Sequence, residues 1–234
     1  MTHAVALGLF AKWPDAGRVK TRLARETSPE FSATIARTFL FDTLERLREL
    51  AGCDQFVAYD PPDAQLKFAE LVEGRTPPIL LEAQSAGDLG TRLETFCQRR
   101  FDDGYAAAIL IGSDSPNLPA NILHDAIRLL QDNDAVVGPT SDGGYYLIGL
   151  RRMLPIFAGI AWSSDCVFSQ TIDRLIAAKA RYALLPLWYD VDTLADLRFL
   201  EIHLKAMRNS TGDYPTCEAL LAQLSAISPK PNGE

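Results

Sequence analysis

A chain of 234 residues, 47% of them hydrophobic, is long enough to bury a full core and fits one large domain. Its formal net charge of −7 and pI near 5.0 disfavour wholesale binding to nucleic acid or an anionic membrane, which usually demands a basic footprint. The four cysteines, Cys53, Cys97, Cys166 and Cys217, form no C-x-x-C pair, which argues against a zinc knuckle or a disulfide framework and for the reduced thiols of a cytoplasmic protein. The opening "MTHAVALGLFAKWP" has no basic segment ahead of its apolar run. That run is far shorter than the roughly 20 residues a membrane-spanning helix needs, so neither export nor a membrane partner is expected.

Ala4 to Phe10 is continuously apolar and predicts a strand buried on both faces. It feeds a basic loop. Ser28, Pro29 and Glu30 then give a capping hydroxyl, a proline at the first helical position and an early acid, and Ile35, Phe39, Leu44 and Leu47 share one face of a helix reaching about Leu50. Gln55 to Tyr59 predicts the second strand, Pro78 to Glu82 the third, and Gly90 to Phe101 a helix. "AAAILI", Ala106 to Ile111, is another buried strand, followed by a helix over Ala120 to Leu130. Ala135 to Val137 and Tyr145 to Leu150 read as strands around "GPTSDGG", Ser164 as the cap of a helix to about Ala178, and Tyr182 to Leu187 as a late strand. Thr193, with Asp196 three residues on, predicts a capping box at the start of a further helix. Strands alternating with helices imply an α/β fold, a three-layer α/β/α sandwich on a mostly parallel mixed sheet. No repeat or linker divides the chain, so residues 1–234 are expected to form a single domain with a frayed tail over 228–234.

Ligands of open α/β sheets sit outside the carboxyl ends of the strands. Four polar clusters fall there: the loop "KWPDAGRVKTR" after the first strand, "GSDSP" after "AAAILI", "SDGG" after Val137, and "YDVD" after the last strand. In the first, Lys12, Arg18, Lys20 and Arg22 surround Gly17, and such a loop can neutralise a polyphosphate while its backbone N–H groups add donors. It is not a P-loop, and no G-x-G-x-x-G opens a helix. Asp114 follows one buried strand, and Asp190 and Asp192 follow another. One carboxylate from each can meet at a shared edge, a sparse set suited to Mg²⁺, which takes one or two carboxylates and completes its shell with phosphate oxygens and water. Asp142 is a candidate general base. Gly143 and Gly144 permit either close approach to a ligand or a tight turn, and Trp162 is read as closing the acceptor side or as core. "GSDSP" lacks the serine-hydrolase G-x-S-x-G pattern, and His3, His124 and His203 show no metal-binding spacing.

The motifs K-x-P-x-x-G-x-x-K-T-R-L at Lys12 to Leu23, "GDLGTRL" from Gly87, "GSDSPNLP" from Gly112, "DGGYYLIGL" from Asp142 and "DVDTLADL" from Asp190 run over most of the chain. As a set they resemble the nucleotide-diphospho-sugar transferase superfamily, the GT-A-like fold, and within it a bacterial glycosyltransferase-like family related to 2-phospho-lactate guanylyltransferase. The resemblance implies that Gly17, Lys20 and Arg22 handle nucleotide phosphates, that Gln84 and Gly87 line the base pocket, and that Asp114 and Asp192 bind a metal, Mg²⁺ or Mn²⁺. The first loop departs from the G-x-G-T-R pattern of sugar-nucleotide pyrophosphorylases.

The expected activity is that of a Mg²⁺-dependent nucleotidyltransferase, with Lys20, Arg22, Asp114 and Asp142 as catalytic candidates and a small phosphate or hydroxyl acceptor. The alternatives are a glycosyltransferase using an NDP-sugar, with Asp142 as base, and a nucleotide-binding module without turnover. The base, the acceptor and the oligomeric state are not legible.

Overall fold

The structure, a computed structural model, describes residues 5–48, 50–210 and 217–227. The predicted frayed tail lies outside them. Strand β1 (Val5–Lys12) alternates Leu7, Leu9 and Ala11 onto one face with Ala6 onto the other, and all four are buried. Both faces of the sheet are therefore covered, as the unbroken apolar run requires. Beyond β1 come the short helix α1 (Thr21–Glu26) and the long α2 (Pro29–Leu47). The Ser28 hydroxyl caps α2 by accepting from the Phe31 N–H at 3.1 Å, with Pro29 just inside.

Strand β2 (Cys53–Asp60) is followed by a 3₁₀ turn at Pro62–Ala64 and by α3 (Gln65–Val72), neither of which the sequence reading assigned. Then come β3 (Ile79–Ala83), α4 (Leu89–Asp102), β4 (Ala107–Gly112), α5 (Ala120–Leu129), β5 (Ala135–Pro139), β6 (Tyr145–Leu150), α6 (Val167–Ala177), β7 (Tyr182–Leu184), α7 (Leu194–Arg208) and α8 (Glu218–Ile227). Helix α6 starts later than predicted. Ser164 instead accepts from the Cys166 N–H and donates to the Ala161 carbonyl, so its hydroxyl closes the turn ahead of the helix. Strand β7 also stops early, at Leu184, although the chain goes on along β5 through the Leu185 and Trp188 N–H groups.

The seven strands are ordered β3-β2-β1-β4-β6-β5-β7. Strand β6 runs antiparallel to both its neighbours, and every other pairing is parallel, which makes the sheet mixed and mostly parallel as expected. Leu40, Leu44, Phe68, Ile122 and Leu123 of α2, α3 and α5 cover one face; Leu93, Phe96 and Leu175 of α4 and α6 cover the other. This is the three-layer α/β/α sandwich. A smaller apolar cluster joins Leu23 of α1 and Phe39 of α2 to Val191, Leu197, Leu200 and Leu204, packing the end of the basic loop against the start of α7. Strand β1 lies between β2 and β4, so connections leave it in opposite directions. That is the topological switch at which such sheets open a crevice.

Candidate active site

The loops that leave β1 and β4 flank this crevice, and the segment after β7 crosses over to join them. Leu185 N–H donates to Val137, Trp188 N–H to Pro139 and Val191 N–H to Asp114, so residues 185–191 are laced first along β5 and then across the end of β4. This lacing brings Asp192 to Asp114. The capping box at Thr193 forms as the sequence predicts: its hydroxyl accepts from the Asp196 N–H, and Asp196 Oδ2 takes the N–H groups of both Asp192 and Thr193. Asp192 is thereby fixed in its backbone while its own carboxylate stays available.

Lys20 occupies the meeting point. Its Nζ is ion-paired with Asp114 Oδ1 and donates to Asp192 Oδ1 at 3.1 Å, and its side chain is only 4% exposed against 49% and 37% for the two acids. The ammonium also lies 5.4 Å from the centre of the Phe39 ring. Its backbone is left-handed, φ 45 and ψ 47, a conformation costly for a residue with a side chain. Burial by itself lowers the ammonium's pKa, but the carboxylates of Asp114 and Asp192 together outweigh it and hold Lys20 above its ordinary value. Arg22, two residues on, stays 65% exposed with Nη1 3.9 Å from Asp192. Lys12, Gly17 and Arg18 are exposed around it, and neither Lys12 nor Arg18 makes an ion pair among the described residues.

Asp190 lies beside this cluster but is bonded to Ser115. It is half-buried, it accepts from the Ser115 hydroxyl at 2.6 Å, and desolvation followed by the nearby Asp114 carboxylate pushes its pKa up to about 7. Around it stands a polar scaffold that the sequence reading passed over. Asn117 donates through Nδ2 to the Tyr189 hydroxyl at 2.7 Å, Trp188 Nε1 donates to Asn117 Oδ1 at 3.2 Å, and the Tyr189 hydroxyl meets His203 Nδ1 at 2.8 Å. Burial lowers the pKa of His203, which favours the neutral ring. A neutral ring with Nδ1 accepting from Tyr189 completes the chain of donors. The signals for this scaffold were Ser115 and Asn117 within "GSDSPNLP" and Tyr189 at the head of "YDVD"; His203 carried none.

The remaining candidates divide between ligand reach and internal packing. Gln84 donates through Nε2 to the Ala58 carbonyl and accepts from Arg92 Nη1 at 3.0 Å, while Arg92 Nε holds the Gly87 carbonyl and Nη1 faces Asp60. Gln84 and Gly87 thus belong to one bonded rim at the ends of β2 and β3. Asp142 Oδ1 accepts from the Thr140 hydroxyl at 2.5 Å and from the Gly144 N–H at 3.1 Å, which builds the β5–β6 turn. At Gly143, φ is +91 and a Cβ would lie 2.1 Å from the Asp165 carbonyl oxygen, so the turn is pressed against the chain ahead of α6. Trp162 is half-buried, edge-on to Tyr145, with its indole nitrogen at the place a Gly90 Cβ would fill.

Asp114 and Asp192 already direct one oxygen each onto a common cation, the Lys20 ammonium, and that convergence suits a divalent ion. Among the described residues no group of three or more His, Cys, Asp or Glu side chains could hold a metal. A divalent ion held here would therefore draw the rest of its shell from phosphate oxygens and water.

Comparison with known proteins places this geometry in context. Residues 43–164 match the family described as "Uncharacterized protein conserved in bacteria (DUF2064)". A solved structure from Desulfovibrio desulfuricans G20, provisionally described as a nucleotide-diphospho-sugar transferase, is 35% identical over 95% of each chain with a TM-score of 0.84. The 4-diphosphocytidyl-2C-methyl-D-erythritol synthase of Anaerococcus prevotii DSM 20548 shares the fold at 12% identity and a TM-score of 0.60, over 87% of this chain and 97% of its own. A CMP:2-keto-3-deoxy-manno-octonic acid synthetase complexed with CTP does so at 14% identity and 0.54, over 88% and 99%. Comparison with curated proteins gave no match.

Proposed function

This chain belongs to that bacterial DUF2064 family, with the fold of nucleotide-diphospho-sugar transferases, and from that premise we propose that it is a nucleotidyltransferase dependent on Mg²⁺ or Mn²⁺. The observation that carries the reading is the Lys20, Asp114 and Asp192 cluster at the β1/β4 switch, set beneath an exposed basic loop. Lys12, Arg18 and Arg22, with the N–H groups around Gly17, receive the phosphates of an NTP, and the rim of Gln84 and Gly87 receives its base. An acceptor oxygen attacks the α-phosphorus, the new P–O bond forms as the α–β bridging bond breaks, and that electron pair leaves with pyrophosphate. Asp114 and Asp192 would hold the divalent ion, which would neutralise charge on the phosphate oxygens. Positioning and charge neutralisation are the whole of the protein's task, and no side chain forms a covalent intermediate.

A phosphate acceptor brings no proton to remove and so needs no base, which agrees with Asp142 being bonded into its own turn. The CTP complex in a protein of this fold supports a triphosphate ligand. One finding favours a second reading: the Desulfovibrio relative, much closer in sequence, is described as a nucleotide-diphospho-sugar transferase, and transfer of a sugar from an NDP-sugar would use the same cluster on a diphosphate. Neither reading calls for nucleic acid or a membrane as partner, and the acidic balance disfavours the first. No helix among the described residues is long and apolar enough to cross a bilayer. The setting proposed for both is the cytoplasm.

A thermal-shift panel of NTPs, NMPs and NDP-sugars, with and without Mg²⁺, tests the reading. A ligand at a hundred times its dissociation constant adds about 2.7 kcal/mol of stability. Mg²⁺-dependent stabilisation by one NTP above every NDP-sugar is expected; the reverse order selects glycosyl transfer.

A further inference from the structure

The Lys20 ammonium does something unusual for a phosphate-binding lysine: it spans the two carboxylates that would hold the metal. It is not a loose surface pairing. The side chain is 4% exposed, the ammonium lies over the Phe39 ring, and the backbone at this position is left-handed. Asp114 Oδ1 and Asp192 Oδ1 both point at that one nitrogen, so a second cation drawn to the same two oxygens meets a positive charge already in place.

We infer that Lys20 is the resident cation of the Asp114–Asp192 pair and that it and a divalent ion occupy the pair in alternation, with the displaced ammonium going to the nucleotide phosphates. The inference rests on the proposed nucleotidyl-transfer site. It follows that metal and nucleotide bind cooperatively, because the phosphates give the displaced lysine a new partner and its departure frees both carboxylates. Arg22 cannot play this part. It approaches only Asp192, at 3.9 Å, from solvent.

Titration of the full chain with Mn²⁺ alone, followed by the electron paramagnetic resonance of the free ion, tests the alternation. Lys20→Met should bind Mn²⁺ at least tenfold more tightly than the wild type. Arg22→Met, which removes the same charge without vacating the pair, should differ from the wild type by less than about threefold. Equal or weaker binding by Lys20→Met, with wild-type binding that Asp114→Asn abolishes, overturns the alternation and leaves the metal site standing. Absence of Mn²⁺ binding from every form up to millimolar concentrations overturns both. Should Lys20→Met fail to fold, acylation of Lys20 in the wild type, read by mass spectrometry, decides: saturating Mn²⁺ should raise its labelling several-fold, and unchanged or reduced labelling contradicts the proposal.

Discussion

Along the carboxyl edge of the sheet, the loop after β1 leaves Lys12, Arg18 and Arg22 in solvent, whereas the segments after β4, β5 and β7 turn their polar groups onto one another. Thr140 and Gly144 bond Asp142; Ser115 bonds Asp190; Asn117, Tyr189 and His203 bond each other. The two rims differ because they answer different demands. A rim that grips phosphates must keep its donors free until the ligand arrives, while a rim that fixes a carboxylate must spend its hydrogen bonds on rigidity. Lys20 belongs to the first rim by sequence and to the second by structure, and that is what joins them.

The contrast can be broken from either side. The largest effect belongs to Asp114→Asn, which removes charge from the shared cluster and should lower turnover by about 10² to 10³ or more, measured as pyrophosphate release. Retained turnover would take Asp114 out of the site. On the rigid rim, Gly143→Ala forces a Cβ against the Asp165 carbonyl at a positive φ, with an expected loss of about 3 kcal/mol or more. For a chain of this length that is a fall of roughly 10 °C in Tm. A Tm within a degree or two of the wild type would show that the turn is not packed as described. On the open rim, Lys12→Ala and Arg18→Ala should leave Tm unchanged and weaken nucleotide binding several-fold each, an effect that shrinks as salt rises. Asp142→Asn should be smallest. The amide oxygen can still accept from Thr140 and Gly144, so turnover with a phosphate acceptor should stay within about threefold, whereas loss of a general base would cost about 10² or more.

Much of this architecture could be read before any coordinates, and the reasons are local. Ser28-Pro29 and Thr193 with Asp196 cap their helices as written, because a cap is a contact between residues three apart. Buried strands such as β1 and β4 announce themselves through unbroken apolar runs. Helix α3 escaped because it is only eight residues long, too short for a periodic pattern to declare itself. The candidate site was legible as a set of clusters, and side chains from three of them, Lys20, Asp114 and Asp192, meet at the carboxyl edge. The division of labour among the four basic residues was not legible. Lys20 differs from Lys12 through a left-handed backbone and a partner 172 residues away, and neither leaves a mark in composition or spacing. The same holds for His203, whose ring finds Tyr189 only once α7 is docked.

The most direct test of the central claim is to supply the purified protein with Mg²⁺ and each NTP or NDP-sugar in turn, together with a pool of small phosphorylated and hydroxyl compounds, and to identify the leaving group by phosphorus NMR. Nucleotidyl transfer predicts pyrophosphate from one NTP, lost in Asp114→Asn. Release of a nucleoside diphosphate from an NDP-sugar, with every NTP intact, would contradict it.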